Sequence, residues 1–306
     1  MTGVSTDTLV PDLGGGVVAV IAVDCGGTNL AVAHVRRATR PEPPVVVPTP
    51  PSATEIPGRI VDLMAELPPV EAIGVGVAGL VDHETGRLLW MPHRPGGASI
   101  ADELRSATGL PIFVDNDANV TALAEAAAGA GAGYHMVLAV TVGTGIGGGL
   151  VIDGAIERGR GHLGEVGHMS VDPAGPLCVC GRVGCWEEIG SGRALDRKAL
   201  ERGLRDGSAL VAASAAGDAA AAAALAEVGR AFGDGLANLV AAFDPDVVVV
   251  GGGVAAAGDA FLDPARLALV SAVSGSAHRR ATPVVGAAFG PAAGIVGAAL
   301  IAGAPL

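Results

Sequence analysis

Two glycine turns, each placed directly after a buried strand, constrain the fold of this chain more than any other feature. The first turn, at residues 24–29, follows an apolar, β-branched run at 17–24. The second, at residues 141–149, follows the apolar run 135–142. Short apolar runs stopped by glycines are typical of buried strands that end in tight turns. Because each turn leads into a further strand, both halves of the chain begin with a hairpin that turns on glycine.

Further α/β units follow each hairpin, which predicts a duplicated α/β fold of two lobes with a central cleft between them. A chain of 306 residues is too long for one small core and fits two lobes of ordinary domain size. We expect a flexible tail at 1–16 and an N-terminal α/β lobe at 17–118, joined by a C-terminal helix at 291–306. The C-terminal α/β lobe then spans 119–290.

Apolar periodicity sets the expected elements within these lobes. Besides the two hairpins, it predicts strands at 45–47, 72–78, 112–114, 247–250 and 283–288. It predicts helices at 60–67, 100–106, 120–128, 194–204, 219–243 and 292–302. The alanine-rich run 212–224 is either a helix interior or a junction between a loop and a helix, since alanine favours helix intrinsically.

Charge and hydropathy exclude several classes of function. The net charge is −12 and no cluster of Lys or Arg stands out, so a nucleic-acid partner is not expected. The sequence contains no uninterrupted apolar run of the roughly 20 residues that span a bilayer, and no secretory signal is expected. Three of its four cysteines crowd into eight positions, which favours metal binding in a reducing compartment over a disulfide framework. We therefore expect a cytoplasmic protein.

The first glycine turn has the composition of a phosphate-binding loop. Glycines allow backbone N–H groups to approach phosphate oxygens, and the hydroxyl of Thr28 adds a donor. Asp24 can hold Mg²⁺ through water, because this ion keeps much of its hydration shell. A plain hairpin turn remains an equal alternative for this segment on its own.

The second turn strengthens the phosphate-binding interpretation, because a chance match in both halves is much less frequent. A third glycine cluster, at 251–253, also follows a buried strand and leaves room for a flat adenine ring. Neither turn matches the Walker loop or the dinucleotide fingerprint, which opens a helix and has an acidic residue about 20 positions on. The three loops together favour ATP over NAD.

His168, Cys178, Cys180 and Cys185 form the pattern H-x9-C-x-C-x4-C. Four such ligands match tetrahedral zinc and leave no position for water, so the site is expected to be structural. Buried cysteines that pack as small apolar residues are the alternative. The fourth cysteine, Cys25, stands apart and is left out of the metal site.

A polar cluster, Asp-Asn-Asp-Ala-Asn at 115–119, lies where a strand ends and a helix begins. Ligand sites in open α/β sheets gather at that edge. One carboxylate can accept a proton from a hydroxyl, as phosphoryl transfer requires. An N-cap cluster is an equal alternative, because Asp and Asn are also favoured at helix starts.

These motifs resemble the ROK family, named for repressors, open reading frames and kinases, which includes the bacterial glucokinases. The resemblance covers almost the whole chain. It rests on DCGGTN at 24–29, GVAGLVD at 76–82, DNDAN at 115–119, TVGTGIGGG at 141–149, GEVGH at 164–168, CVCGRVGCWE at 178–187, SGRAL at 191–195 and VVVGGGV at 248–254.

The resemblance implies an ATP-dependent hexokinase or glucokinase with the two-lobed, actin-like and hexokinase-like (ribonuclease H-like) fold, whose lobes close over the sugar. Asp117 matches the catalytic base of the family. The matching sugar-binding positions are Gly79, Asn116, Asp117, Glu165, His168 and Glu187. The matching nucleotide-binding positions are Asp24, Gly26, Gly27, Thr28, Asn29, Thr144, Gly145, Gly251, Gly252 and Gly253. His168 then has two roles, with one ring nitrogen on structural Zn²⁺ and the other on a sugar hydroxyl, and Mg²⁺ accompanies ATP.

The chain departs from the family at His93, where glucokinases usually have a sugar-contacting Asn after a Pro. Histidine also hydrogen-bonds hydroxyls, but with a different reach, so other hexoses or N-acetylated amino sugars stay open: fructose, mannose, allose and N-acetylmannosamine. A sugar-binding relic without catalysis is not favoured, because Asp117 and both turns are intact. A sugar-sensing repressor is not expected either, since only 23 residues precede Asp24. The family often forms dimers, which implies a homodimer here. The sequence leaves open whether polyphosphate can replace ATP.

Overall fold

The computed structural model describes residues 19–36, 41–92, 94, 96–273 and 282–303. These residues divide into two compact units. The first unit contains the described residues up to Gly133, the segment 154–162 and the described residues from Pro291 onward. The second unit contains 134–153 and the described part of 163–290. The expected tail at 1–16 lies outside the described residues.

The first unit is built on a five-stranded sheet with the strand order β3-β2-β1-β4-β7. Its strands are β1 (Ala19–Cys25), β2 (Asn29–Arg36), β3 (Val45–Pro48), β4 (Ala72–Val77) and β7 (Ile112–Asn116). A small hairpin of β5 (Leu80–Asp82) and β6 (Arg87–Trp90) follows β4. Strands β1 and β2 are antiparallel, whereas β1, β4 and β7 run parallel. The carboxyl ends of these three parallel strands therefore lie at one edge of the sheet.

Helices cover both faces of this sheet. They are α1 (Ile56–Met64), α2 (Ile100–Thr108), α3 (Asp117–Ala128) and α9 (Ala293–Gly303). Apolar side chains of α1 and α2 share one core cluster with the buried residues of β1, β4 and β7. On the other face α9 packs so closely on β4 that a Cβ at Gly74 would overlap the carbonyl oxygen of Ala298. Helix α9 is buried all round, as its uniformly apolar sequence requires.

The second unit repeats the pattern of the first. Its strands β8 (Met136–Val142), β9 (Ile146–Ile152), β11 (Val247–Gly251) and β12 (Val284–Gly286) lie in the order β9-β8-β11-β12. Strands β8 and β9 are antiparallel, and β8, β11 and β12 run parallel. The remaining strand, β10 (Ala155–Glu157), belongs to the segment that groups with the first unit. Both units thus begin with a hairpin and continue with parallel strands.

The core of the second unit is built around stacked aromatic side chains. Its helices are α4 (Trp186–Gly190), α5 (Gly192–Leu200), α6 (Gly207–Ala215), α7 (Ala219–Phe243) and α8 (Asp259–Val273). Phe232 stacks on Trp186 with ring centroids 5.0 Å apart and also contacts Phe261 at 5.2 Å. All three rings are fully buried, so α4, α7 and α8 are fixed around one apolar centre.

Most expected elements are present, although β5, β6, β10 and α4 were not among them, and three further differences follow. Strand β9 begins at Ile146, not at 150, because Gly147, Gly148 and Gly149 pair with β8 and do not belong to the turn. In the alanine-rich run, Asp218 caps α7 and separates it from α6, so the run contains a helix break. Helix α8 follows the glycine cluster at 251–253 and was not expected from the sequence.

The division of the chain also differs from the expected boundary at residue 118. Helix α3 groups with the first unit, because a Cβ at Gly297 of α9 would overlap the backbone carbonyl of Val120. Such a close approach binds α3 to α9 and therefore to the first sheet. Among the described residues no single helix has the length and apolarity to cross a membrane, although the pair α6 and α7, bent by 120°, meets that test on composition and length alone.

Candidate active site

Asp24 and Asp117 lie close together at the carboxyl edge of the first sheet. Asp24 is the second-to-last residue of β1, just before the first glycine turn, and Asp117 is the first residue of α3. Burial, together with the negative charge of Asp117, raises the pKa of Asp24 to about 6. Both carboxylates are half-buried, and two such groups side by side are costly without a cation, so this edge is suited to a positively charged ligand.

Asp115 is an anchored carboxylate. Its side chain is almost fully buried and receives two bonds from Arg158, both of 2.7 Å, from Nε and Nη2 to Oδ2. Its other oxygen, Oδ1, accepts the backbone N–H of Asn116 at 2.7 Å and Nδ2 of Asn119 at 2.8 Å. These four bonds hold Asp115 in place and make it a structural group at the end of β7.

Asn116 caps helix α3. Its Oδ1 accepts the backbone N–H groups of Ala118 at 2.8 Å and Asn119 at 3.2 Å, while its Nδ2 donates to the carbonyl oxygen of Gly79 at 3.0 Å. The N-cap alternative for this cluster is therefore observed at Asn116. One N–H of its amide is not used by these bonds and remains for a ligand.

The half-buried side chain of Asp117 follows directly after this cap. Its Oδ1 accepts the backbone N–H of Ala118 at 2.9 Å. The positions of its neighbours Asp115 and Asn116 are fixed by the bonds described above. The cluster therefore brings one carboxylate, that of Asp117, to the start of α3 with both flanking side chains held.

Hydrogen bonds from residues outside the first glycine turn to its carbonyl oxygens hold the turn in place. Gly26 donates its N–H to the carbonyl of Asn29 at 2.9 Å, which closes the turn. Thr49 donates its hydroxyl to the carbonyl of Gly26 and its backbone N–H to that of Thr28, at 2.7 and 2.9 Å. Arg94 donates Nη2 to the carbonyl of Gly27 at 2.9 Å. This arginine follows His93, which lies outside the described residues.

In the second unit the glycine turn between β8 and β9 lies beside the third glycine cluster. The parallel pairing of β8 with β11 places Thr141 opposite Gly251. Gly252 has a left-handed φ of 92°, and a Cβ there would overlap the backbone of Val142. Thr144 and Gly145 form the tip of the turn that follows Val142. The predicted nucleotide-binding residues of the second unit therefore share one edge of its sheet.

His168, Cys178, Cys180 and Cys185 converge in the second unit, with one ligand atom from each within 4.8 Å of all the others. Cys178 Sγ lies 3.6 Å from His168 Nδ1, and the sulfurs of Cys180 and Cys185 are 3.5 Å apart. Zinc bonds of about 2.3 Å to sulfur and 2.0–2.1 Å to nitrogen give tetrahedral edges of about 3.5–3.8 Å. The donor set and these two distances fit tetrahedral zinc.

The cysteines of this cluster are available as metal ligands. All four cysteines are free, and no disulfide joins the described residues. Burial raises the pKa of the Cys178 thiol to about 12, so without a cation this sulfur stays protonated at neutral pH. A bound metal deprotonates coordinating thiols and stabilises the thiolate.

Two carboxylates flank the imidazole of His168. Glu165 Oε2 lies 3.8 Å from Nε2, and Glu187 Oε1 lies 3.8 Å from Nδ1. Glu187 is buried and is also 3.3 Å from Nη1 of Arg193. Since Nδ1 faces the sulfurs, Nε2 points to the other side of the ring, towards Glu165. The predicted sugar-binding residues of this unit are therefore neighbours.

Three arginines at these sites were not expected from the sequence. Arg94 contacts the first glycine turn, Arg158 pairs with Asp115, and Arg193 pairs with Glu187. Their partners are 67, 43 and 6 positions away in the chain. Only Arg193 carried a signal, because it lies in the SGRAL motif at 191–195. The other two pairs depend on the fold and leave no mark in sequence spacing.

Each unit is a sheet that begins with a glycine-turned hairpin and continues with parallel strands, which is the actin-like fold class of sugar kinases. The chain belongs to the ROK family, whose sequence profile matches residues 20–304. The resemblance found in the motifs and the expected fold class are therefore confirmed.

Two relatives and one crystal structure illustrate this membership. A glucokinase from Streptomyces coelicolor is 35% identical over an alignment of 313 positions, which covers 93% of this chain and 98% of that protein. An N-acetylmannosamine kinase from Salmonella newport is 34% identical over 284 residues, covering 88% and 97%. The crystal structure of a ROK family glucokinase from Streptomyces griseus in complex with glucose and AMPPNP has a TM-score of 0.85 and 38% identity, covering 93% and 99%.

Proposed function

We propose that this chain is an ATP-dependent kinase that phosphorylates the primary hydroxyl of a hexose, with glucose as substrate and glucose 6-phosphate as product. The observation that carries the proposal is the carboxylate of Asp117 at the start of α3, close to the half-buried Asp24 and flanked by side chains that are already held. Membership of the ROK family and the glucokinase relatives support the same reaction.

Asp117 is the general base in this proposal. It accepts the proton of the primary hydroxyl as that oxygen attacks the γ-phosphorus of ATP, and the bond from this phosphorus to the β-γ bridging oxygen breaks. ADP leaves with the electron pair of that bond. Because phosphoryl transfer depends on positioning and charge stabilisation, the fixed start of α3 is the main contribution of the first unit.

Asp24 is proposed to hold Mg²⁺ through water. Its carboxylate oxygens are ligands of the type this ion prefers, and a bound cation would offset the burial and the charge of Asp117 that raise its pKa. When bound with ATP, the ion neutralises charge on the phosphate oxygens. Nucleotide contacts are assigned to the turn at Gly26, Gly27, Thr28 and Asn29, to Thr144 and Gly145, and to Gly251, Gly252 and Gly253.

Sugar hydroxyls are assigned to residues of both units. In the first unit these are Asp117, Asn116 through its remaining N–H, and Gly79, whose carbonyl Asn116 holds. In the second unit Glu165 and Glu187 offer carboxylate acceptors on either side of His168.

A structural zinc ion is proposed on His168, Cys178, Cys180 and Cys185. The distance of 3.6 Å from Cys178 Sγ to Nδ1 supports this nitrogen as the ligand, which would leave Nε2 as a donor for a hydroxyl. Bound zinc would fix the ring direction and tautomer of His168, which explains how a structural metal supports sugar binding.

A second candidate keeps the reaction and changes the sugar to an N-acetylated amino sugar. The similarity to an N-acetylmannosamine kinase favours this candidate, and His93 in place of the usual Asn leaves the identity of the sugar open. Other hexoses, such as fructose, mannose and allose, remain in the same class.

The test measures ADP formation with Mg-ATP over a panel of hexoses and N-acetylated amino sugars, with products identified by mass spectrometry. We expect glucose to give the highest kcat/KM and glucose 6-phosphate to accumulate in equal amount to ADP. A higher kcat/KM for N-acetylmannosamine selects the second candidate. ADP formation that is independent of every sugar would overturn the kinase proposal.

A further inference from the structure

The carboxylate of Glu187 occupies a confined position in the second unit. Its Oε1 lies 3.3 Å from Nη1 of Arg193, 3.5 Å from Sγ of Cys178 and 3.8 Å from Nδ1 of His168. The same nitrogen of Arg193 donates to Glu188 Oε1 at 2.9 Å. One guanidinium nitrogen therefore bridges two neighbouring buried carboxylates.

The other carboxylate oxygen lies against the second glycine turn. A Cβ placed on Gly145 would be 2.5 Å from Glu187 Oε2, closer than real atoms approach. Gly145 is not among the described glycines with a left-handed φ, so its backbone does not require glycine. Glycine at this position therefore leaves the room that the carboxylate of Glu187 occupies.

The segment that carries Arg193 also fixes the turn. Ser191 donates its hydroxyl to the carbonyl of Thr144 at 2.8 Å, and Gly192 donates its N–H to the carbonyl of Gly143 at 2.8 Å. Ser191 also bonds to the backbone carbonyl of Glu187. Residues 191–193 thus hold the glycine turn and Glu187 in one bonded unit.

We propose that Gly145 and Arg193 are positioning residues that together hold the Glu187 carboxylate in the orientation that binds the sugar. The turn assigned to nucleotide by its motif then has a second role, in sugar affinity. This inference rests on the proposed function, because it takes Glu187 as a sugar ligand.

The sharpest test compares Gly145→Ala with Gly143→Ala by calorimetric titration of glucose without nucleotide. At Gly145 the new methyl group must displace the flexible end of Glu187, which the fold tolerates while the carboxylate moves. At Gly143 no atom lies within 4 Å of the new methyl group. We expect the glucose Kd to rise by about 10- to 100-fold in Gly145→Ala, the loss typical of a charge-assisted hydrogen bond. The Kd of Gly143→Ala should stay within about twofold.

A second comparison tests Arg193 against a matched control. Arg197 also bonds the buried Glu188, through Nη1 at 3.1 Å, but no bond of the described structure joins it to Glu187. Arg193→Met and Arg197→Met should therefore lower Tm similarly, whereas only Arg193→Met should raise the glucose KM by about 10-fold or more. Arg193→Lys should restore most of the affinity, because both contacts come from one nitrogen.

Glu187→Gln separates the failure of this inference from the failure of the proposed function. A wild-type protein that neither binds nor phosphorylates any sugar would overturn the proposed function and the inference with it. Unchanged glucose affinity in Glu187→Gln would remove Glu187 from the sugar site and also end the inference. If Glu187→Gln binds weakly but Gly145→Ala and Gly143→Ala bind alike, only the inference is wrong.

Discussion

Neighbouring polar residues at the start of α3 have sharply different roles. Asp115 is bonded on both oxygens to Arg158, Asn119 and a backbone N–H, and Asn116 caps the helix. Asp117 stands at the same edge as the half-buried Asp24, whose pKa is raised by desolvation and by the charge of Asp117. Within five positions, the chain therefore combines a structural anchor, a helix cap and a proposed base.

We predict that the ionised carboxylate of Asp24 lowers the stability of the fold but strengthens the binding of Mg-ATP. Because its folded pKa of about 6 lies above the ordinary value of 3.8, the folded state loses stability as pH rises from about 4 to 6. Asp24→Asn removes this loss. We expect the variant to unfold at a higher temperature than wild type at pH 8, with the difference vanishing near pH 4, and to bind Mg-ATP more weakly.

Thermal unfolding at both pH values and calorimetric titration with Mg-ATP check this expectation. Asp62→Asn is the control, since Asp62 is an exposed carboxylate on α1 of the same unit. A Tm gain at pH 4 equal to that at pH 8 is incompatible with a carboxylate whose pKa is raised in the folded state.

At the residue scale, the sequence predicts which side chains carry chemistry better than it predicts how they are held. The metal ligands were recognisable because Cys178, Cys180 and Cys185 lie within eight positions. Arg158 was not, because its partner Asp115 is 43 positions away and the pairing exists only in the folded unit. Whether Asn116 is a cap or a ligand likewise depends on bonds that a sequence does not show.

Among the secondary-structure elements, the Arg158–Asp115 pair connects the segment after β10 to the start of α3. Arg158→Met leaves a buried carboxylate without its cation. We expect the free energy of unfolding to fall by about 3 kcal/mol, at the low end for a broken buried pair because Arg158 is partly exposed.

Urea unfolding measures this loss. Arg105→Met is the control, because Arg105 and Asp102 form an exposed pair on α2 that contributes about 0–0.5 kcal/mol. Equal losses in the two variants would show that the Arg158 pair does not anchor α3.

The zinc-binding loop is the second element whose role can be tested. We expect about one zinc ion per chain in the purified protein and a large loss of zinc from Cys178→Ala during dialysis against a chelator. Cys25→Ala should keep its zinc, since Cys25 lies in β1 outside the cluster. Zinc content is measured by elemental mass spectrometry. Equal zinc in Cys178→Ala and Cys25→Ala would refute the assigned ligands.

Among the elements, long apolar helices and strands were predictable and glycine-rich boundaries were not. Helix α7 has both ends where the sequence places them, at Ala219 and Phe243, because Asp218 caps it and the apolar positions repeat at helical spacing. Strand β9 begins four residues earlier than expected. Glycines signal a turn in a sequence, but Gly147–Gly149 are strand residues paired with β8.

The whole molecule consists of two units with the same hairpin and parallel-strand plan. That plan was predictable, because two glycine turns in one chain each followed a buried strand. The grouping of α3 and of 154–162 with the first unit was not, since it depends on packing between distant segments. The duplication of the fold is therefore visible in local sequence patterns, whereas the boundaries of the two units are not.

We propose a homodimer, as the family resemblance implies. Light scattering coupled to size exclusion should give twice the mass of one chain over a tenfold range of protein concentration. A mass of one chain throughout that range would contradict it.

The role of Asp117 as general base is tested by the steady-state kinetics of Asp117→Asn with glucose and Mg-ATP, alongside glucose binding by calorimetry. If Asp117 is the base of a glucose kinase, kcat falls by about 10²- to 10⁴-fold, while the glucose Kd rises by no more than about 10-fold because Asn can still hydrogen-bond the hydroxyl. A variant that keeps more than about half of the wild-type kcat would contradict the claim, because the hydroxyl proton would then have another acceptor.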